Sequence, residues 1–339
     1  MHAIAPSIPA APTTATVGTT AVSIEDLSYA YGDRTAIDNL SLQVPTGEIF
    51  GLLGPNGSGK TTLFRVLSTL IPPQSGKVTV LGHNLATDRD CVRRDIGVVF
   101  QSPALDKQLT AYENLACQAA LYGLSGPVMK ERIETLLAAV NLLDRAHERT
   151  DRFSGGMRRR VEIAKGLLHR PKLLILDEPS TGLDPGARLD LWQLLNDIRA
   201  QQDVTILLTT HLMEEADLCD RLAILMDGRL LACDSPAALK GRIRGEVITL
   251  TSAQPDALRD RLREKLGIEM ERVGDALRLQ RPRGHEFVPA LIEAAPGLVD
   301  SVSVGRPSLA DVFVELTGRN YRSEVATPNR GAEPQRGHR

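Results

Sequence analysis

The sequence predicts an α/β protein built on a largely parallel sheet covered on both faces, followed by a small α+β unit. Three observations carry that expectation. Short all-aliphatic runs such as Leu173-Leu174-Ile175-Leu176 lack the alternation of a half-exposed strand and fit strands buried on both faces. These runs alternate with segments of helical periodicity, as crossover connections between parallel strands require. After about Lys240 the pattern changes to strand, helix, two strands, helix, strand, the split βαββαβ order of a ferredoxin-like unit.

In chain order, 22–29 alternates loosely as a half-buried strand, and further strands are expected at 40–44, 48–53, 77–81 and 95–100. Residues 111–123 and 127–143 are expected helices, broken at Gly126-Pro127. They form a mostly helical insert that starts near 104 and, with the next helix (155–169), ends near 170. A strand (173–177), helix (185–200), strand (204–210), short helix (212–219) and strand (221–227) complete the larger unit, 21–240. In the smaller unit, 241–321, strands are expected at 246–251, 268–273, 276–280 and 298–304, and helices at 255–266, 285–294 and 308–318. Gly274-Asp275 suits a two-residue hairpin turn.

Composition narrows the function. The chain has 339 residues, 42% hydrophobic and 24% charged, with net charge −2, so no general attraction to nucleic acid is expected. Cys91, Cys117, Cys219 and Cys233 form no C-x-x-C pair, which fits reduced thiols rather than a zinc site. No apolar stretch reaches the ~18–20 residues of a membrane helix. Residues 1–20, rich in Ala, Pro and Thr, lack the features of a secretory signal and are expected to be a disordered leader; 322–339 is expected to be a disordered polar tail.

The chemistry centres on Gly54-Pro55-Asn56-Gly57-Ser58-Gly59-Lys60-Thr61, which fits G-x-x-x-x-G-K-[ST] between an expected strand and an expected helix. Triphosphates need many short donors. The glycines let successive N–H groups curl inward, the helix start adds its positive dipole end, and amides as far as Thr62 join the cradle. Lys60 supplies charge for the outer phosphates and Thr61 a hydroxyl for magnesium. Asp177 ends an aliphatic strand, where open α/β sheets bind ligands, and is a candidate magnesium ligand; Glu178 is the candidate general base. Ser154 is a natural cap for a helix opening with Gly155 and Gly156, a second anion site that makes sense if it serves a nucleotide held by another subunit. Arg158, Arg159 and Arg160 are expected to be a solvated helix face.

With these motifs in hand, residues ~22 to 240 resemble the ATP-binding cassette family, a P-loop NTPase fold with a mostly parallel sheet, an antiparallel β subdomain and a helical insert. The usual Leu-Ser-Gly-Gly-Gln signature appears here as Phe153-Ser154-Gly155-Gly156-Met157, and Met157 removes a polar side chain. The resemblance implies that Gln101 senses magnesium beside Thr61 and Asp177, that Ser180-Thr181-Gly182-Leu183-Asp184 crosses a dimer interface with Asp184 near the nucleotide, and that His211 contacts the γ-phosphate. It also implies that Tyr31, with Tyr29 as rival, stacks on adenine. Phe-Ser-Gly-Gly-Met-Arg-Arg-Arg and the segment from Arg306 to Phe313 are similar to ATPase subunits of drug-resistance-type and nodulation-type exporters. That resemblance implies an ATP- and Mg2+-dependent ATPase that closes on a second copy of itself and drives a separate integral-membrane permease at the cytoplasmic face of the cell membrane. The alternatives are a soluble cassette acting on ribosomes or DNA, and a P-loop kinase or GTPase. A single cassette without a basic face or long coiled coil disfavours the first; the Ser154-Gly155-Gly156 element and His211 disfavour the second.

Overall fold

The computed structural model describes residues 20–102, 104–318 and 321. The expected leader and tail therefore lie outside the described residues, except that Thr20 is already the first residue of a strand. The elements follow as β1 (Thr20–Tyr31), β2 (Arg34–Pro45), β3 (Ile49–Leu53), α1 (Lys60–Leu67), β4 (Lys77–Val80), β5 (His83–Asn84), α2 (Arg89–Asp95), β6 (Ile96–Val99), α3 (Ala111–Leu121), α4 (Gly126–Ala139), α5 (Gly155–Gly166), β7 (Leu173–Leu176), α6 (Pro185–Gln202), β8 (Thr205–Thr210), α7 (Met213–Ala216), β9 (Arg221–Met226) and β10 (Arg229–Asp234). Then come α8 (Pro236–Gly241), β11 (Glu246–Thr251), α9 (Pro255–Leu266), β12 (Glu271–Val273), β13 (Ala276–Arg281), α10 (Gly284–Ala294), β14 (Ser301–Gly305) and α11 (Leu309–Thr317).

The central sheet has the order β10-β9-β3-β8-β7-β6, parallel except for β10. Its strands β3, β7 and β8 are buried at every residue, as their unbroken apolar runs require. One face packs under α3 to α6 through residues such as Leu115, Ile133, Val161 and Leu195. The other face meets α1 and an antiparallel sheet, order β2-β1-β4-β5, through Phe50, Leu63, Phe64, Val22 and Val44. β1 and β2 form a longer hairpin than expected, 12 residues each, because β1 takes register shifts around the left-handed Asp26 and keeps pairing up to Tyr31↔Arg34.

The third sheet has the order β12-β13-β11-β14, antiparallel throughout, which is the ferredoxin-like arrangement of a βαββαβ chain. The Gly274-Asp275 turn falls where expected, between the paired Val273 and Ala276. Its own core holds Ile248, Leu250, Leu258, Leu262, Leu277 and Leu291. The last helix, α11, does not join that core. A capping box at Ser308 and Asp311 starts it, and its buried Leu309, Val312 and Phe313 pack with Leu222, Ile224, Leu239 and Ile243 beside β9 and α8.

Candidate functional site

Four neighbouring parallel strands, β3, β8, β7 and β6, deliver their carboxyl ends to one edge. Just beyond them stand the glycine-rich loop, His211, Asp177-Glu178 and Gln101 respectively. Pairing carries this close together: Leu53 lies opposite Thr210, Leu176 opposite both Leu208 and Val99, and the Asp177 N–H donates to the Val99 carbonyl at 2.9 Å. The topology thus gathers side chains that stand far apart in the sequence, from Lys60 to His211.

The loop between β3 and α1 is tight. Gly59 has φ +101°, and a Cβ there would stand 2.6 Å from the Ala36 carbonyl oxygen; one on Gly54 would stand 2.5 Å from the Leu225 carbonyl oxygen. Asn56 and Gly57 are exposed, whereas Pro55 and Ser58 are buried. The Ser58 hydroxyl has no hydrogen-bond partner among the described residues. Lys60 is only 4% exposed, and its ammonium donates to the Gly54 and Pro55 carbonyls at 2.6 and 2.9 Å. Burial pulls its pKa down to about 8, against the upward pull of Glu178 and Asp177. Thr61 and Thr62 occupy the first turn of α1, Thr61 exposed and Thr62 buried. The cradle's own carbonyls thus hold the cation that the motif places there.

Across the edge, Glu178 is held from several sides. Gln101 Nε2 donates to Oε2 at 3.2 Å, Thr181 Oγ1 donates to the same oxygen at 3.0 Å, and His211 Nδ1 lies 3.2 Å from Oε1. Burial works upward on this carboxyl, but His211, Lys60 and Thr181 outweigh it and leave the pKa below the usual range. Its backbone is left-handed at φ +42°, a strained conformation of the kind found at functional sites. Asp177 behaves in the opposite way: burial, with the neighbouring Glu178 charge, raises its pKa although Thr209 Oγ1 donates to it at 2.6 Å. The Glu178 N–H in turn donates to Thr209 Oγ1 at 2.9 Å. A buried carboxylate pressed by a second one is a place where a cation relieves repulsion. Thr61, Gln101 and Asp177 offer only oxygen donors once Gln101 has turned its nitrogen to Glu178, a set that fits magnesium.

Of the remaining expected residues, all but Gly156 stand at the surface. Tyr31 is 44% exposed while Tyr29 is buried in the core, so Tyr31 alone is free to stack on a base. Ser154 and Gly155 are exposed at the start of α5, where Ser154 Oγ accepts from the Met157 N–H at 3.2 Å and Gly156 packs on Ala187. Met157 receives the Arg145 guanidinium on its sulfur at 3.3 Å. Asp184 is exposed and caps α6 by accepting from the Ala187 N–H at 2.9 Å. Ser154 and Asp184 make no hydrogen bond to the glycine-rich loop among the described residues.

Sequence reasoning missed three groups. Arg159, expected on a solvated face, is buried and binds the carboxylate loop. The legible signal was Glu162 one turn later, with Ile163 and Gly166 on the same inward side of α5. Glu215 is buried and receives the Ser180 and Thr210 hydroxyls, bracing the segments that carry Glu178 and His211. Tyr321 donates its hydroxyl to the His211 carbonyl at 2.9 Å, a long-range contact that no local pattern announces.

The chain has relatives among known proteins. A family profile described as "ABC transporter" matches residues 37–181. Nod factor export ATP-binding protein I of Rhizobium sp. (strain N33) is 40% identical over 301 residues, covering 88% of this chain and 97% of that protein. Daunorubicin/doxorubicin resistance ATP-binding protein DrrA of Streptomyces peucetius is 38% identical over 310 residues, covering 88% and 93%. The solved dimeric, post-hydrolysis structure of the ATP-binding cassette MJ0796 bound to ADP and Pi matches with a TM-score of 0.56 and 29% identity, covering 63% of this chain and 98% of that one. By these matches, and with the glycine-rich loop and the doubly covered parallel sheet in place, the chain belongs to the ABC transporter family, as an ATP-binding, ATP-hydrolysing subunit of the exporter-type group that these relatives represent.

Proposed function

We propose that two copies of this chain close face to face on two ATP molecules and thereby drive an integral-membrane permease carried on a separate chain, at the cytoplasmic face of the membrane. The observation that carries this reading is the division of the phosphate-binding groups. The loop, Glu178 and His211 share one edge, while the start of α5, with Ser154 and Gly155 exposed and Gly156 buried behind them, has the N–H donors of a second anion site and is left over for another subunit. Closure then depends on the outermost phosphate, whose charge bridges two positive helix ends.

Within each site Lys60 and the amides of 57–62 bind the phosphates, exchanging the Gly54 and Pro55 carbonyls for a stronger partner. Tyr31 supports the base, and Asp184 approaches the nucleotide held by the opposite copy. Thr61, Gln101 and Asp177 would hold magnesium, which supplies charge neutralisation on the phosphates when bound. Glu178, ionised at neutral pH by its lowered pKa, orients the attacking water and accepts its proton. His211, 3.2 Å away, fixes that carboxylate and faces the developing charge.

Among the described residues no helix is long and apolar enough to cross a membrane, so transport needs a membrane companion. A cleft lined by Leu70, Phe100, Gln118, Tyr122 and His169 opens next to Gln101 and is the surface assigned to it. Beside it, Leu121 is 80% exposed. The test is Glu178→Gln: ATP binding is retained, turnover falls by at least about 100-fold, and the protein runs as a dimer with Mg-ATP. Normal hydrolysis by that variant removes Glu178 as the base, and a monomer under saturating nucleotide with the permease present removes the closure reading.

A further inference from the structure

Helix α5 carries a buried ion pair that the nucleotide chemistry above does not use. Arg159 and Glu162 are one turn apart, with side chains 7% and 6% exposed and Arg159 Nη1 3.1 Å from Glu162 Oε2. Arginine has five N–H donors, and here all five have acceptors. Nε donates to the Pro179 carbonyl at 2.8 Å. Nη1 donates to the Phe100 carbonyl at 2.6 Å as well as to Glu162. Nη2 donates to the carbonyls of Asp177 and Glu178 at 3.0 and 3.4 Å. Glu162 spends its other oxygen on the Ala104 N–H at 2.6 Å, and Lys165 donates to the Ala104 carbonyl at 2.9 Å.

The four backbone acceptors of Arg159 belong to two loops. One, with Phe100 and Ala104, is clamped on either side of Gln101; the other, 177–179, contains Glu178. Those two side chains meet at 3.2 Å. A buried ion pair is a poor way to gain stability, because apolar residues of similar volume serve as well or better, so its use here calls for a geometric reason. We infer that Arg159, anchored by Glu162, is a positioning residue that sets the separation of Gln101 and Glu178 and ties both loops to α5. Because α5 begins at Ser154-Gly155-Gly156, a displacement of that helix start is transmitted through one rigid guanidinium to the water side of the site and to the loop bordering the Gln101 cleft. The inference rests on reading Glu178 as the general base.

The experiment measures steady-state ATP hydrolysis and nucleotide binding by the full-length protein carrying Arg159→Lys or Glu162→Gln, each alone and combined with Gln101→Ala. Lysine keeps the charge but not the fork, and glutamine keeps the shape but not the charge. The expected result is a fall in kcat of about 10- to 100-fold for Arg159→Lys, with KM and ATP affinity within about threefold of the parent. In the Gln101→Ala background the same substitution has a smaller effect, because the spacing it controls no longer has its second member. An unchanged kcat, a loss of equal size in both backgrounds, or a fall in ATP affinity as large as that in kcat overturns the positioning role. So does failure of both conservative variants to fold, which would assign the pair to stability alone. Failure of the base assignment is read separately, as normal hydrolysis by Glu178→Gln with the Arg159 variants still impaired.

Discussion

Replacing Phe313 by alanine tests whether α11 belongs to the larger unit. Phe313 is fully buried and meets Tyr321 edge-on, with ring centroids 4.8 Å apart. Around it, in the same buried cluster, lie Leu239, Ile243, Leu222 and Ile224. Truncating a buried phenylalanine costs about 3–5 kcal/mol, part of which is the aromatic edge contact. A nine-residue helix opens more cheaply than the whole chain unfolds, so the loss appears first as release of α11. At 1.4 kcal/mol per factor of ten, the released population rises by about two to three and a half orders of magnitude. Hydrogen exchange read by mass spectrometry should therefore accelerate in peptides covering α11 and α8, while peptides from β3 and β7 stay protected. Leu316→Ala, on the exposed side of the same helix, is the control and should change stability by no more than about 0.5 kcal/mol. If α8 exchanges in Phe313→Ala as it does in the parent, or if the two variants behave alike, then the packing of α11 against the cassette has been misjudged.

One substitution and one labelling experiment probe the cassette itself. Gly59→Ala forces a side chain into a left-handed turn, 2.6 Å from the Ala36 oxygen. It should lower stability by more than about 1 kcal/mol and abolish nucleotide binding, which denaturation and equilibrium titration would show; wild-type affinity would contradict the cradle geometry. Burial, reinforced by Glu215, Asp220 and Asp217, raises the Cys219 thiol well above its ordinary pKa, so below that raised value it stays protonated and unreactive, whereas Cys117 is exposed. Alkylation at about pH 8 should label Cys117 promptly and Cys219 only after unfolding, and early labelling of Cys219 in native protein would sink the packing around β3 and α7.

The parts legible in the sequence are those with a local physical signal. Aliphatic runs located β3, β7 and β8 almost to the residue, and β11 and α9 have the boundaries expected of them. The Gly54 to Thr61 spacing and the strand-end acids named the residues that the sheet then brings together. Other features were hidden for definable reasons. β10 is an edge strand whose two faces each mix one charged residue with two apolar ones, so it shows no alternation, and its clear signal is the Asp227-Gly228 hairpin turn, both residues at positive φ. α2 and α8 are one to two turns long, too short for periodicity to show. Arg159 was read as solvent-facing because charge usually is; its burial depends on carbonyls contributed from about 60 residues upstream and 20 downstream. The seat of α11 was hidden for the same reason, since an apolar helix face does not say which of two cores it will enter.

That seat has a bearing on how the gene is cut. The ferredoxin-like sheet leaves the cassette at β11 and returns at β14, and Val247 pairs with Gly305, so exit and re-entry lie about 5 Å apart. The polypeptide between them is a cargo hung on a two-stranded stem, with host sequence on both sides. A stop codon at 245 would strip away α11 and leave the apolar surface of β9 and α8 bare, whereas a short bridge joining 246 to 306 would remove the appendage and spare the helix that seals its host.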